Sequence, residues 1–191
     1  VIILNIKKVT VKNAIVINFL SSIIIACILI LVYRKDLIRE WKIYKKDFSK
    51  NIDIGFKYWL IGLVCMMISN FIITSLLNID QATNEKTVQR MISVMPYLLV
   101  ISAGIIAPIN EEIIFRKVFR DNIKNNLIFI LISGIIFGYM HVSTATTFAQ
   151  FLYIIPYSSL GIAFAVMYSK TLFLHLCQCI CFIIQYYQFY Q

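Results

Sequence analysis

Apolar side chains fill long unbroken runs of this chain, and charged side chains are confined to the segments between them. The ranges Ala14 to Tyr33, Tyr58 to Leu77 and Met91 to Asn110 each contain 20 residues without a formal charge. A helix needs about 20 apolar residues, at a rise of about 1.5 Å, to cross about 30 Å of hydrocarbon. These three runs therefore predict three membrane-spanning helices.

The second half of the chain is poorer still in charge. From Asn125 to Ser169 there are 45 residues without a charge, enough for two spans, and Thr171 to Gln191 is long enough for another. The runs lack the alternation of barrel strands, and in lipid only helices and closed barrels satisfy the backbone. The pattern predicts an all-α polytopic transmembrane bundle of about six spans, with helices broken near Pro108 and Pro156.

Composition and charge agree with this interpretation. The chain is 60% hydrophobic with a mean hydropathy of +0.82, and its 18 basic and 9 acidic residues are too few for an ordinary soluble domain. Eight of the basic residues lie between Arg34 and Lys57. Because basic segments stay on the cytoplasmic side, we expect 34 to 57, 116 to 124 and Lys170 to lie inside. The net charge of +9 then reflects topology and anionic lipid, so the lipid bilayer is an expected partner and nucleic acid is not.

Ionisable side chains at membrane depth are costly and mark functional candidates, here Glu111, Glu112, His141 and His175. Glu112 and Arg116 are four residues apart, with the acid first, which favours an ion pair on one helix face. Glu111 is left without a local cation and is a candidate general base. The alternative is that both glutamates only stabilise a helix start after the preceding proline.

The two candidate helices should meet. If the chain turns near residues 122 to 125, Glu111 lies about 18 Å and His141 about 24 Å above that turn at about 1.5 Å per residue. Small residues favour close approach of these helices, namely Ser102, Ala103 and Gly104 on one and Gly134 with Gly138 on the other. Phe137, four residues before His141, is placed to hold the imidazole or to exclude water.

Three short motifs follow one another in apolar segments of the chain. They are Glu111-Glu112-x-x-x-Arg116, Phe137-x-x-x-His141 and His175-x-x-x-Cys179. Together they resemble the signature of the CaaX protease and bacteriocin-processing family of membrane proteins, which includes type II CaaX prenyl endopeptidases and bacterial relatives linked to bacteriocin self-immunity. The resemblance covers roughly residues 90 to 180. It implies a membrane-embedded helical endopeptidase that cleaves a membrane-associated peptide or protein, in a bacterial plasma membrane.

The resemblance also implies roles for the motif residues. Glu111 and His141 would position and activate the attacking water, while His175 with Cys179 would polarise the scissile carbonyl. Glu112 and Arg116 would support the first motif. Residues 91–191 would then form the catalytic membrane domain, and residues 1–90 an N-terminal transmembrane hairpin region with a basic cytoplasmic loop.

Two alternatives stay open beside this hypothesis. No cofactor is predicted, but Glu111, His141 and His175 form a set that suits a catalytic divalent metal such as zinc, although no H-E-x-x-H helix is present. Cys179 stands where the family usually has Asn, and a thiol is a weak donor to an oxyanion. The second alternative is therefore a non-catalytic immunity or scaffolding protein of the same fold.

Overall fold

A computed structural model of the protein describes residues 11–77 and 93–172. Six helices lie wholly within these residues, and residues 93 and 94 are also helical. The six helices are α1 (Val11–Lys46), α2 (Phe48–Leu77), α3 (Pro96–Asn122), α4 (Asn126–Val142), α5 (Phe148–Phe151) and α6 (Ile154–Thr171). The all-α prediction is confirmed.

Four helical stretches are long and apolar enough to cross a membrane. They are Lys12–Lys46, Phe48–Leu76, Pro96–Asn122 and Phe148–Thr171, the last of which joins α5 and α6. The shorter apolar helix α4, with 17 residues, extends about 25 Å. These five match five of the predicted spans, and the sixth, Thr171 to Gln191, lies almost wholly outside the described residues.

The basic segment from 34 to 57 is helical, so the prediction of a loop there was wrong. Helix α1 runs on for 36 residues, about 54 Å, and α2 begins only two residues after it ends. The reason is that residues 34 to 54 contain no glycine or proline, so charge ends the membrane-spanning part without ending the helix. At the turn between the helices, the Asn51 side-chain amide donates to the Tyr44 carbonyl over 2.8 Å.

Helix α3 departs from regular α-helical geometry around Pro108. Wide π-helical turns, Ser102–Ile106 and Ile113–Val118, flank the short α-helical stretch Ala107–Glu112. Proline lacks an N–H group and its ring crowds the carbonyl four residues earlier. The α-helical pattern is therefore broken near Pro108, as predicted, while the chain stays helical throughout.

The predicted break near Pro156 is also present. Helix α5 ends at Phe151, and α6 begins at Ile154, so Pro156 lies in the first turn of α6. In that turn its missing N–H costs nothing, because the first N–H groups of a helix have no intrahelical partner. The Thr147 side chain caps α5 by accepting a hydrogen bond from the Gln150 N–H.

Helices α4 and α6 pack backbone against backbone through glycines. A Cβ on Gly134 would lie 2.7 Å from the Ile162 nitrogen, and a Cβ on Gly161 would lie 2.8 Å from the Gly134 carbonyl oxygen. The Gly134 and Gly138 pair therefore faces α6, and the expectation that it faces Ser102 to Gly104 was wrong. The glycine spacing indicates that another helix packs closely at this face, but it does not identify which helix that is.

One end of the bundle is held by a buried ionic cluster. The Lys117 Nζ lies 2.8 Å from Asp121 and 3.2 Å from Glu40, and the Tyr168 hydroxyl donates to Glu40 over 3.1 Å. These contacts join α1, α3 and α6 at one level. They bring together the segments that the basic-residue pattern assigns to one side, although the side itself stays a prediction.

Candidate active site

The centre of the site is a fully buried cation on α3. The Arg116 side chain is 0% exposed, and its Nε lies 3.3 Å from Oε1 of Glu112, which is also buried. This is the predicted pair of the first motif. Because a buried charge without a partner is strongly destabilising, the pair must be kept together for the helix to remain in the bundle.

A serine from α4 completes the environment of Arg116. The Nη1 group donates to the Ser133 hydroxyl over 2.6 Å, and that hydroxyl donates in turn to the Phe115 carbonyl over 2.6 Å. Nη2 of Arg116 is buried and has no hydrogen-bond partner among residues 11–77 and 93–172. Sequence analysis missed Ser133, because a single serine in an apolar helix carries no signal of its own.

Aromatic rings surround the guanidinium on its remaining sides. Its Cζ lies 5.3 Å from the centre of the Phe137 ring and 5.9 Å from that of Phe164. Phe137 also meets Phe115 edge to face at 5.5 Å. A desolvated guanidinium is stabilised by aromatic faces at this range. Phe137 therefore contacts the Arg116 cation as well as belonging to the motif that carries His141.

His141 is held by two rings and one carbonyl group. Its ring centre lies 4.5 Å from that of Phe137 and 4.7 Å from that of Tyr157 on α6. Its Nδ1 lies 2.9 Å from the Phe137 carbonyl oxygen. A carbonyl oxygen only accepts hydrogen bonds, so Nδ1 carries the proton and the lone pair of the neutral ring is on Nε2.

The first two motifs lie at the same level of the bundle. Helices α3 and α4 are antiparallel neighbours, and Phe137 contacts Arg116 across their interface. One turn before Arg116 is Glu112, and one turn after Phe137 is His141, so both lie on the same side of that contact. Glu111 is partly buried beside Glu112 and lies within the electrostatic influence of Arg116.

Asn110 ties this end of α3 to α1. Its side-chain amide donates to the Ser22 carbonyl over 2.9 Å, and its own Oδ1 is buried without a hydrogen-bond partner in the described part of the chain. The residue immediately before the glutamate pair is therefore fixed by the first transmembrane helix. Sequence analysis missed this contact, which joins residues 88 positions apart.

Comparison with known proteins shows the family of this chain. Residues 93–184 match the family model for type II CAAX prenyl endopeptidase Rce1-like proteins. The chain is 31% identical over 154 residues to UPF0177 protein YxdF of Lactococcus lactis, covering 75% of this chain and 79% of that relative. This chain belongs to the CaaX protease and bacteriocin-processing family. It is also 27% identical over 160 residues to the putative membrane peptidase YdiL of Bacillus subtilis, covering 82% of this chain and 62% of YdiL. No solved structure matches.

Membership of the CaaX protease and bacteriocin-processing family makes the protein an integral membrane protein of a protease family. The predicted first motif lies on α3 and the predicted second motif lies on α4. The third, with His175 and Cys179, lies outside the described residues. Within the described ranges no three His, Cys, Asp or Glu side chains are grouped as a metal site.

Proposed function

We propose that the protein is an intramembrane endopeptidase that hydrolyses a peptide bond in a membrane-associated protein or peptide. The observation that carries the proposal is the arrangement of the first two motifs around Arg116 and Phe137, at one level of a buried helix interface. Membership of a protease family supports the same conclusion. The Glu111 carboxylate and the His141 imidazole are the kinds of group that peptide hydrolysis needs, which supports the proposal.

In the proposed reaction, Glu111 and Nε2 of His141 both accept hydrogen bonds from one water molecule. Glu111 takes a proton from this water as its oxygen attacks the scissile carbonyl carbon, and the proton then passes to the departing amine nitrogen. The negative charge that develops on the carbonyl oxygen needs fixed donors, a role that we assign to His175 and residue 179. Arg116 compensates the charge of Glu112, which leaves Glu111 as the reactive carboxylate.

A metal-assisted form of the same reaction is the second candidate. The hydrogen bond from Nδ1 of His141 to a backbone carbonyl is the usual arrangement for a metal-ligating histidine, because it presents Nε2 to the metal. Glu111, His141 and His175 would hold the ion, and a bound zinc would lower the pKa of water and polarise the substrate carbonyl. Turnover that is lost on dialysis against a chelator and restored by added zinc would favour this candidate.

A non-catalytic role is favoured by one observation, the presence of Cys179 where the family usually has an amide side chain. Losing one oxyanion donor typically lowers the rate by about 10² to 10³. The chain would then act as an immunity or scaffolding protein that keeps the family fold. Restoring an amide at this position separates a weakened enzyme from a protein without catalysis.

The test is cleavage by the full-length protein in liposomes of a panel of fluorogenic peptides, including a farnesylated CaaX peptide and apolar membrane-spanning peptides. We expect turnover to fall by at least about 10² in Glu111→Gln, which removes the general base, and in His141→Ala, which removes the group that orients the water. The exposed Asp53→Asn gives the same chemical change as a control and should retain wild-type turnover. Cys179→Asn should raise the rate.

Two results would count against the proposal. If Glu111→Gln and Asp53→Asn have equal turnover, Glu111 is not the base. If neither the wild type nor Cys179→Asn cleaves any peptide while both are folded, the non-catalytic role replaces the enzyme.

A further inference from the structure

The histidine of the second motif is contacted by a tyrosine that belongs to none of the three motifs. Tyr157 comes from the first turn of α6, and its ring lies nearly parallel to that of His141, at an interplanar angle of 26° and a centroid distance of 4.7 Å. We propose that Tyr157 is a positioning residue that fixes the orientation of the His141 imidazole for the reaction. This inference rests on the proposed function.

The His141 ring is restrained from two helices. The Phe137 carbonyl, on the same helix, accepts a hydrogen bond from Nδ1, and the Phe137 ring lies tilted against the imidazole at 4.5 Å. A ring held only by its own helix can still turn about its side-chain bonds, since the terminal torsion of histidine is broad. Tyr157 adds a contact from the neighbouring helix, so rotation that moves Nε2 also requires the loss of aromatic stacking.

Tyr157 is itself firmly placed. It is buried in a cluster with Ile73, Val142 and Tyr153, so its ring cannot turn away into the lipid. The residue after it, Ser158, packs directly against α4, where a Cβ on Gly138 would lie 2.7 Å from the Ser158 nitrogen. The glycine contact between the two helices therefore sets the distance between the tyrosine and histidine rings.

Orientation matters because Nε2 must face the water that Glu111 deprotonates. A misplacement of about 1 Å in such an arrangement can lower the rate about 10²-fold. The tyrosine hydroxyl is not needed for this role, since phenylalanine offers the same stacking face. Loss of the ring should therefore lower kcat, and loss of the hydroxyl alone should not.

The experiment compares Tyr157→Leu, Tyr157→Phe and the control Leu160→Ala in the full chain in liposomes. Leu160 is buried on the same helix but packs toward α2, in a cluster with Phe164 and Met167. We expect Tyr157→Leu to lower kcat for the best peptide about 10²-fold with KM little changed, as misplacement by about 1 Å implies. Tyr157→Phe should restore turnover, and Leu160→Ala should lower the unfolding midpoint without this loss of kcat.

A second measurement does not depend on turnover. Solid-state NMR of the protein with ring-¹⁵N histidine reports the tautomer of His141, assigned by the signal that His141→Asn removes. We expect one Nδ1-protonated tautomer in the wild type, in Tyr157→Phe and in Leu160→Ala, and averaged tautomers in Tyr157→Leu. A single unchanged tautomer in Tyr157→Leu would overturn the inference, as would an equal loss of kcat in Leu160→Ala. If no peptide is cleaved by the wild type, the proposed function fails, while the NMR comparison still decides the role of Tyr157.

Discussion

At the scale of single residues, the site depends on the ion-pair and hydrogen-bond partners of the buried Arg116 guanidinium. Arg116 is paired with Glu112, but its Nη1 depends on the hydroxyl of Ser133. That hydroxyl also satisfies the carbonyl of Phe115. Ser133 therefore couples α4 to the ion pair of α3, and its removal leaves a charged donor and a carbonyl without this shared partner.

We expect Ser133→Ala to destabilise the protein by about 1.5–3 kcal/mol, the usual range for a hydrogen bond to a charged group. The measurement is the unfolding free energy in mixed micelles titrated with a denaturing detergent. Ser143→Ala is the matched control, because Ser143 is exposed and its hydroxyl donates locally to the Met140 carbonyl. Equal unfolding free energies for the two variants would show that Arg116 does not depend on Ser133.

The same residues show what spacing along the chain can predict. The contacts of Glu112 with Arg116 and of Phe137 with His141 are both four residues apart on one helix, so helical geometry alone predicts them. The contact made by Tyr157 comes from another helix. No periodicity in the sequence indicates which side chain of a neighbouring helix will contact a given position. The contact between Tyr157 and His141 could therefore not be predicted from the sequence.

At the scale of helices, the α4 and α6 interface is set by glycines that admit no side chain. A Cβ on Gly138 would lie 2.7 Å from the Ser158 nitrogen and 2.9 Å from the Ile154 carbonyl oxygen. Both neighbours are backbone atoms, which cannot turn aside as a flexible side chain does. A substitution must therefore move one helix relative to the other.

We expect Gly138→Ala to destabilise the protein by at least about 1–3 kcal/mol, the usual cost of overpacking, and to reduce turnover by moving Tyr157 away from His141. Tyr139→Ala is the control on the same helix, because Tyr139 is exposed on the apolar surface. Both quantities are measured on protein in the same detergent. Wild-type stability and turnover in Gly138→Ala would mean that the two helices do not approach as closely as described.

Helix boundaries divide into those that the sequence predicts and those that it does not. The break before α6 follows from Pro156, whose ring and missing N–H are tolerated in the first turn of a helix. The end of α1 could not be placed from charge, because Lys and Arg are good helix formers and the segment after Tyr33 holds no breaker until Gly55. In α1 the apolar, membrane-spanning part therefore ends before the helix itself ends.

At the scale of the whole molecule, the ionic cluster fixes which ends of the helices lie together. Lys117 is nearly buried and contacts Asp36, Glu40 and Asp121, so its cost of burial is offset by carboxylates from two helices. Tyr168 adds α6 through its bond to Glu40. The turns after α1 and after α3 must therefore project from the same face of the bundle.

The turn after α4 projects from the opposite face, because α4 runs about 25 Å away from the turn after α3. From the excess of basic residues we predict that the first face lies in the cytoplasm. In a cysteine-free background, we expect Lys46→Cys and Lys124→Cys to react with a membrane-impermeant maleimide only after cells are permeabilised. We expect Thr144→Cys to react in intact cells. All three positions are exposed, so burial does not explain a difference between them.

The pattern of labelling separates two kinds of error. Reversed labelling at all three positions would mean that the bundle is right and its orientation wrong, with Glu111 approached by substrate from the other side. Different labelling at positions 46 and 124 would contradict the cluster itself, because Lys117 cannot contact Glu40 if the two turns lie on opposite sides of the bilayer. The described position of α1 beside the site would then also be wrong, including the hydrogen bond from Asn110 to the Ser22 carbonyl.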